Sequence, residues 1–481
     1  MSSFTAGRAG ALGGPAWLKK RRSDAFEELA AMPMPSEKEE VWRYTPIDEL
    51  RLDEYAPSDG QPLGPLGSAF LEGVVADLPE LAALVTTVDG RLVSVDRSGL
   101  PEPVGIGGVD VLGDEEGALG RVLAGGDALV RLSDAFHPDV VVLDVPARVA
   151  IHAPVVVVHW CTTAPAWSGP AAGSAAPAGS ATATGSATAH AGSATAPAGS
   201  GPTEGWPASF PRTVVRLGAG SILQVVEIVA GAPGGGSGLV VPVTELFADD
   251  GSQLSYAALQ VLGPDAWHLS RVAASAGRDA TLRTFTVGLG GAYDRSRTDA
   301  LAEGTGSSTE LRSAYLGTGS QVHDVRTLQD HAAPHTTSDL LCKGAVAGTS
   351  RSVYSGLIRV RRGAVRTNAF QTNHNLVLDR GAHADSVPNL DIEENDVRCS
   401  HASTVGPVDE DQRYYLESRG IPPMRAEQLI VLGFFDDIVQ RSPVPALIPR
   451  LRREVGLRLE GALDLETADR DRAREEASEN G

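Results

Sequence analysis

The chain has 481 residues, with 54 glycines, 31 prolines and only 5% aromatic residues, a composition that favours turns and small side chains over long helical bundles. Its 61 acidic and 41 basic residues give a formal net charge of −20, which argues against nucleic acid or an anionic membrane surface as the main partner. The cysteines Cys161, Cys342 and Cys399 form no CxxC pair and are too widely spaced for a disulfide framework, which fits a reducing compartment.

Residues 1–109 are predicted to form a helical or mixed N-terminal region. The sequence RRSDAFEELAA from Arg21 has an N-cap candidate in Ser23, acids in the first turn and apolar residues at helical spacing, which predict a short helix. The first basic residues follow a short apolar stretch, the reverse of a secretory signal, and no run reaches the roughly 18 apolar residues of a membrane helix. We therefore expect a cytoplasmic protein.

The segment from about 162 to 209 is predicted to be a disordered insertion. Between Pro170 and Gly205, every residue except His190 and Glu204 is Ala, Gly, Ser, Thr or Pro. Such a composition offers no large apolar side chain to offset the entropy lost on ordering. We expect this insertion to loop out of a core that spans residues 110–406.

Similar phrases recur through that core. They centre on Leu223, Leu254, Leu282 and Leu311, at intervals of 31, 28 and 29 residues. The phrases GAVRTNAF, GAHADSVPNL and NDVRCSHA then follow at about half that interval. Short strands repeating at this period predict a mainly β fold, a solenoid with two strands per turn on two flattened sheets.

The alternative fold is a β-sandwich, whose strands recur at about 8 to 12 residues and turn back as hairpins. Two-residue hairpin signals are almost missing from the repeats, where Asp250-Gly251 is the one example. The longer period favours the solenoid.

Residues 407–460 are predicted to be a C-terminal helical region, followed by a charged flexible tail at 461–481. Asp409 can cap a first helix that ends at Gly420, and Pro422 and Pro423 begin a second. The second helix is apolar on more than one face, through the residues Ala426, Ile430, Val431, Phe434, Phe435, Ile438 and Val439.

Cys399 and His401 form the main chemical candidate. One residue separates them, so on a strand they share a face, with Cβ atoms about 7 Å apart. A thiolate beside an imidazole suits iron, zinc or a persulfide. The alternative is a buried thiol next to a histidine bonded to a backbone carbonyl. Because two ligands do not complete a tetrahedral site, any metal needs donors from elsewhere, such as another chain.

Other clusters are weaker candidates. The spacing of His323, His331 and His335 fits no common ligand arrangement. The acids Asp391, Glu393, Glu394 and Asp396 are a paired-carboxylate site or, more commonly, a solvated face. The basic stripe Arg359, Arg361, Arg362 and Arg366 is typical of a solenoid exterior or interface, and Cys342 of a core thiol. With no phosphate loop, GxSxG or HExxH motif, the chain is predicted to be a scaffold and not an enzyme.

The run from Leu341 to Pro422 resembles the C-terminal core of the SufB/SufD family of iron–sulfur cluster assembly proteins, through the phrases SRSVYSG, QTNHNL, CSHASTVG and YLESRGI. The phrase LAAMPMPSEKEEVWRYTPIDEL is similar to the start of the SufD branch, and the CSH form is closer to SufD than to SufB. Together the two stretches bracket nearly the whole chain.

This resemblance implies a right-handed parallel β-helix flanked by helical N- and C-terminal regions. It also implies a non-catalytic scaffold subunit that pairs with a SufB-like paralogue and docks a SufC-like ABC-type ATPase, for nascent cluster assembly and iron acquisition. The chain itself would bind no nucleotide. By the CSH match, His401 corresponds to the histidine that the SufD branch contributes where a transient cluster forms at the SufB interface, with Cys399 a weaker candidate.

The second C-terminal helix is the expected ATPase dock, through Ile430, Phe434, Phe435 and Ile438. Two alternatives stay open. The chain could be a structural stabiliser of SufB with no metal contact, or a polysaccharide-active β-helix enzyme whose site would be carboxylates on one face of the solenoid.

Overall fold

A computed structural model describes residues 3–78, 80–113, 119–123, 126–163 and 205–461. Most of the predicted insertion, including His190, lies outside these residues, as does the predicted tail beyond 461. The strand Trp206–Ser209 lies inside the predicted insertion range, so the folded core resumes before residue 209. This corrects the predicted end of the insertion, because Trp206 and its neighbours pair with other strands.

The helices occupy both ends of the chain. They are α1 (Ala6–Ala11), α2 (Ala16–Ala31), α3 (Gly64–Asp77), α4 (Ala128–Phe136), α5 (Glu410–Ser418), α6 (Pro423–Val439) and α7 (448–461), with 3₁₀ turns at Glu40–Trp42, Ile47–Glu49, Leu52–Glu54, Val109–Leu112 and Pro445–Leu447. Within the described ranges, none of these helices has the length and apolar character needed to cross a membrane.

Of the two predicted helix N-caps, the one near the C-terminus is confirmed and the one near the N-terminus is wrong. Asp409 accepts hydrogen bonds from the backbone of Asp411 and Gln412 and so caps α5, as the sequence predicts. Ser23, the N-cap predicted for the first long helix, instead lies inside α2, and its hydroxyl donates to the carbonyl of Lys19. That prediction was wrong because α2 begins a full two turns earlier than the acidic pattern indicates.

The strands fall into an early irregular set and a later regular set. The early set is β1 (Tyr55–Pro57), β2 (Ala83–Val88), β3 (Arg91–Asp96), β4 (Gly105–Gly107), β5 (Val141–Val145), β6 (Val155–Trp160), β7 (Trp206–Ser209), β8 (Arg212–Leu217), β9 (Ile222–Ala230), β10 (Gly238–Val240) and β11 (Val243–Ala248). The later set is β12 (Gln253–Val261), β13 (Ala266–Ala276), β14 (Thr281–Gly288), β15 (Tyr293–Ala302), β16 (Ser308–Gly317), β17 (Val322–His331), β18 (Thr337–Val346), β19 (Arg351–Val360), β20 (Asn368–Val377), β21 (His383–Ile392) and β22 (Arg398–Gly406).

The strands form two long sheets that alternate along the chain. The first sheet runs in the order β21-β19-β17-β15-β13-β11-β8-β5-β4, and the second in the order β22-β20-β18-β16-β14-β12-β9-β6-β2-β3. Neighbours are parallel throughout, except for the pairs β2–β3 and β4–β5. This topology confirms the predicted mainly β solenoid and excludes the sandwich, because hairpins would make consecutive strands antiparallel neighbours.

The repeats predicted from sequence are successive turns of the second sheet. Leu223 aligns with Leu254, and Leu254 with Leu282. The fourth repeat was misaligned by two residues, since Leu282 aligns with Thr309 and Leu311 with Thr284. A shift of two preserves the face of the strand, which is why Leu311 still points into the core. The half-interval phrases are β20, β21 and β22, which lie on alternate sheets.

The hydrophobic core lies between the two sheets, and helices cover their outer faces. The outer face of the second sheet packs against α3, α6 and α7, with Val74, Phe435 and Leu451 in one buried cluster with strand residues. The outer face of the first sheet packs against α2 and α4. Asp77 of α3 pairs with Arg450 and Arg453 of α7 and so joins the two helices.

Candidate functional site

One end of the solenoid is formed by β21 and β22 and is called here the open end (residues 383–406). Among the described strands, β21 pairs only with β19 and β22 only with β20. Leu390, Ile392 and Val405 on its inward face are 39%, 41% and 44% exposed. The neighbours of Leu390 and Ile392 one turn back, Ile358 and Val360, are fully buried. The interior of the solenoid is therefore open to solvent at this end.

Cys399 and His401 lie on β22 at the open end. Their register partners on β20 are Ala369 and Gln371, both buried on the inward face. Because aligned residues of parallel strands point to the same side, Cys399 and His401 share the inward face, at the last turn of the solenoid.

The two side chains differ in environment. Cys399 is half-buried against a small apolar cluster that includes Ile358 and Ala369. Burial raises the pKa of the Cys399 thiol, and a hydrogen bond from the Ala369 backbone offsets this only partly. His401 is exposed to solvent. The site thus offers one thiol that ionises reluctantly and one accessible imidazole.

These two donors do not complete a metal site by themselves. Within the described ranges, no group of three or more His, Cys, Asp and Glu side chains could hold a metal ion. Thiolate and imidazole are ligands that iron accepts. The residues present therefore fit only part of a metal site.

A chain of polar side chains lies behind the open end. Inside the solenoid, the Tyr315 hydroxyl donates to Asn375 at 2.5 Å, and the Asn375 amide donates to Asn373 at 2.9 Å. Ser386 donates to Asn373 at 2.8 Å, and Ser403 donates to Ser386 at 2.7 Å. Ser403 stands two residues after His401 on the same face of β22, so the polar interior reaches the site.

The predicted histidine cluster has structural contacts instead. His323 stacks on Tyr315 with ring centroids 5.6 Å apart and hydrogen-bonds Asp294 at 3.1 Å. His331 hydrogen-bonds Thr336 at 2.7 Å, and burial lowers its pKa to about 4. His335 is exposed in a turn with a φ of 60°. These residues do not converge on one point.

The acidic run and the basic stripe pair with each other or with neighbouring turns. Arg359 and Asp391 are 3.0 Å apart and Arg366 and Asp396 are 3.6 Å apart, each pair linking successive turns. The Glu394 carboxylate accepts from the Gly363 backbone at 3.1 Å. The acids therefore belong to a solvated outer face. Of the two interpretations given above, a paired-carboxylate site and a solvated face, this is the more common one.

The other cysteines are core thiols. Cys161 and Cys342 are fully buried, and burial raises the pKa of each thiol. This confirms the interpretation of Cys342 and leaves Cys399 as the accessible thiol of the three.

The residues of the predicted ATPase dock on α6 differ in burial. Phe435 and Ile438 are buried at 1% and 0% exposure against the outer face of the second sheet. Ile430 and Phe434 are partly exposed. This corrects the prediction for Phe435 and Ile438, because a buried side chain cannot meet a partner while the helix stays packed.

Sequence reasoning did not single out the apolar residues of the open end or Gln371. Leu390 and Ile392 fit the strand alternation like any core residue, and only the lack of a following strand in the described chain exposes them. The signal for Gln371 was present, since Gln371, Asn373 and Asn375 place amides at every second position of one strand, which indicates a polar interior.

Comparisons with known proteins agree on the type of protein. Residues 200–434 match the family model for the SUF system FeS cluster assembly SufBD core domain. An iron–sulfur cluster assembly SufBD family protein of Mycobacterium bovis is 39% identical over 233 residues, 47% of this chain and 59% of that protein. The iron–sulfur cluster assembly protein SufD of Escherichia coli is 34% identical over 183 residues, 38% of this chain and 43% of that protein.

A third relative aligns over more of the chain. The chloroplastic protein ABCI7 of Arabidopsis thaliana is 24% identical over 445 residues, which are 91% of this chain and 85% of that protein. The matches to the bacterial relatives are confined to about half of each protein.

Proposed function

Because the chain belongs to the SufB/SufD family of iron–sulfur cluster assembly proteins and is close to SufD, we propose that it is a non-catalytic scaffold subunit of a SUF complex. In this proposal it pairs with a SufB-like paralogue through the open end, and a transient cluster forms there. The observation that carries the proposal is the pair Cys399 and His401 on the inward face of the last strand.

The open end has the features of an interface with another solenoid. The inward apolar residues Leu390, Ile392 and Val405 are about 40% exposed. Burying apolar surface stabilises an association by about 25 cal/mol per Å². The edges of β21 and β22 can also accept a strand from a partner, which would continue both sheets. A paralogue with the same strand spacing fits this surface.

Iron and sulfide are the cargo at this interface. His401 would supply an imidazole nitrogen, and Cys399 a thiolate once the positive charge of iron favours loss of its proton. The partner chain supplies the remaining donors. Cys399 is the weaker ligand because burial raises its thiol pKa.

We place the ATPase dock on the outer surface of α5 and α6. This surface combines the partly exposed Ile430 and Phe434 with exposed residues nearby, which are Tyr414, Tyr415, Met424 and Leu429. Exposed apolar residues that lie together are a feature of protein interaction sites. The ATPase partner binds the nucleotide, and its closure shifts the paralogue against this chain at the open end.

The test compares three forms of the complex after anaerobic co-expression with its paralogue and ATPase. His401→Ala should lower bound iron and sulfide about tenfold, since a ligand is lost. Cys399→Ser should lower them less. Thr404→Ala, an exposed residue of the same strand with no proposed role, should leave both unchanged.

A stabiliser with no metal contact is the second candidate function, favoured by the observation that the described residues hold no group of three metal donors. The same experiment separates the two functions. An assembled His401→Ala complex with wild-type iron and sulfide would remove the ligand role and support the stabiliser.

A further inference from the structure

Gln371 stands directly behind His401. It belongs to β20, where its Cα is the register partner of His401 on β22. Its side chain is 1% exposed, and within the described residues neither its amide nitrogen nor its amide oxygen has a hydrogen-bond partner. Buried amides in folded proteins are nearly always bonded, so this one requires an explanation.

Most of the neighbours of Gln371 on the inward face offer it no partner. Its register partner on the preceding turn is Leu340, which is apolar. Across the interior it lies against Gly356, where a Cβ atom would stand 2.5 Å from its amide nitrogen. The Tyr354 hydroxyl also borders this position, but its recorded hydrogen bond is with Thr327, at 3.3 Å. The residue paired with Gly356 on β21 is Pro388, which has no backbone N–H to donate. On the open side, the adjacent residue with polar side-chain atoms is His401.

The space that the Gln371 amide occupies exists because the opposite sheet has a glycine there. Glycine at 356 leaves space that any larger residue would fill. The other inward-facing amides of β20, Asn373 and Asn375, are bonded to each other and to Ser386 or Tyr315. The interior thus satisfies two inward-facing amides of this strand and leaves the third, Gln371, without a partner on the turn next to His401.

We propose that Gln371 is a positioning residue for His401. When a partner covers the open end and displaces water from His401, the Gln371 side-chain oxygen accepts the N–H of the imidazole ring. This hydrogen bond fixes the ring orientation and the tautomer, and leaves the lone pair of the other ring nitrogen for iron. The inference rests on the proposed function, in which His401 is an iron ligand.

The test uses the complete complex, purified without oxygen and reduced. Pulsed electron paramagnetic resonance measures the coupling of the cluster to the imidazole nitrogen, and iron titration measures affinity. Gln371→Met keeps the length of the side chain but has no amide oxygen, so we expect an altered nitrogen coupling and about tenfold weaker iron binding. Gln371→Glu keeps an acceptor oxygen and should retain the wild-type coupling.

Gln329→Met is the matched control. Gln329 of β17 is another interior glutamine, also 1% exposed, and its amide donates to Ser338 of β18 in the opposite sheet. Its replacement should leave the nitrogen coupling unchanged. If Gln371→Met fails to assemble, Gln371→Asn replaces it, because the amide is then one methylene too short to reach the ring.

The outcomes separate this inference from the proposed function. Wild-type coupling and affinity in the assembled Gln371→Met or Gln371→Asn complex would overturn the positioning role alone. An imidazole coupling that is missing from the wild-type complex, or that persists in His401→Ala, would overturn the ligand role of His401 and the positioning role together.

Discussion

At the scale of single residues, the interior of the solenoid holds an ionised carboxylate. Glu227 accepts hydrogen bonds from His159 at 2.8 Å, Thr213 at 2.6 Å, Thr244 at 2.7 Å and the Tyr256 hydroxyl. Burial by itself raises the pKa of the Glu227 carboxyl, but the hydrogen bonds from His159, Thr213 and Tyr256 outweigh it and lower the pKa to about 2. A buried charge is tolerated here because every lone pair direction has a donor.

The Glu227 carboxylate should make folding stability depend on acid pH. Its folded pKa of about 2 lies below its ordinary value of 4.5, so its contribution is present above 4.5 and is lost as the pH falls towards 2. Glu227→Gln should destabilise the chain by about 3 kcal/mol at pH 7, since His159 and the hydroxyls lose a charged acceptor. Urea unfolding at pH 7 and pH 3 measures both effects.

Glu310→Gln is the control for that prediction. Glu310 pairs with Arg283 at 3.1 Å, and both side chains are more than a third exposed. Its removal should change stability by less than about 0.5 kcal/mol. Equal losses in the two variants, or an unchanged acid response in Glu227→Gln, would contradict the role assigned to the buried carboxylate.

Only some of these residue contacts could be predicted from the sequence. The alternation of side chains along a strand was enough to pair Cys399 with His401. The partners of Glu227 come from strands 14 to 68 residues away, and the isolation of Gln371 depends on Gly356 in the other sheet. Such contacts depend on register, which a local pattern does not contain.

At the scale of elements, α6 has an inner and an outer side. Lys343 of β18 fixes the helix, because its ammonium group lies 2.6 Å from Asp437, 3.2 Å from the carbonyl of Phe434 and 4.6 Å from the Phe434 ring centre. Phe435 and Ile438 face the sheet. Of the two adjacent aromatic residues, Phe435 is therefore part of the core, whereas Phe434 is partly accessible to a partner.

The two phenylalanines should respond differently to substitution. Phe434→Asp should abolish co-purification of the ATPase while the helix stays folded, which circular dichroism verifies. Phe435→Ala should instead cost about 3 to 5 kcal/mol of stability, because it leaves a cavity against the second sheet. Retention of the ATPase by a folded Phe434→Asp protein would move the dock away from α6.

The spacing of apolar residues predicted which segments are helical more accurately than it predicted where each helix begins. Leu451, Val455 and Leu459 recur at helical spacing and are buried along α7, and Leu447 is buried in the 3₁₀ turn before it. The start of α2 was displaced because its first turn has Pro15 as N-cap and no capping side chain. Which apolar face of α6 is covered follows from packing on the solenoid, and the pattern alone could not choose between faces.

At the scale of the whole molecule, the two ends of the solenoid differ. At one end the sheets finish in antiparallel strands, β3 and β4. At the other end, β21 and β22 are parallel to their neighbours and carry exposed apolar residues on the inward face. The repeat in the sequence predicted the stacking of turns, but the residues of the last turn resemble those of any other. The open end could therefore not be recognised from the repeat.

Charges at the open end should prevent pairing with the paralogue. Leu390 and Ile392 are about 40% exposed, so Leu390→Lys together with Ile392→Lys should change stability little, by about 0.5 kcal/mol per site. The variant should purify without the paralogue, as measured by affinity co-purification and light scattering. Val93→Lys, at an exposed site on β3 at the opposite end, should pair normally. Pairing of the double variant at wild-type levels would place the interface elsewhere.

Because α6 is anchored to β18, its distance from Cys399 and His401 along the solenoid axis is fixed. In the second sheet, β20 and then β22 follow β18, so Cys399 and His401 stand two strands beyond the strand that holds the helix. At about 4.8 Å per strand, this offset is about 10 Å along the solenoid axis. The number of turns between β18 and β22 therefore sets the distance from the helix to the site. Adding or removing one turn would change that distance by about 4.8 Å along the solenoid axis.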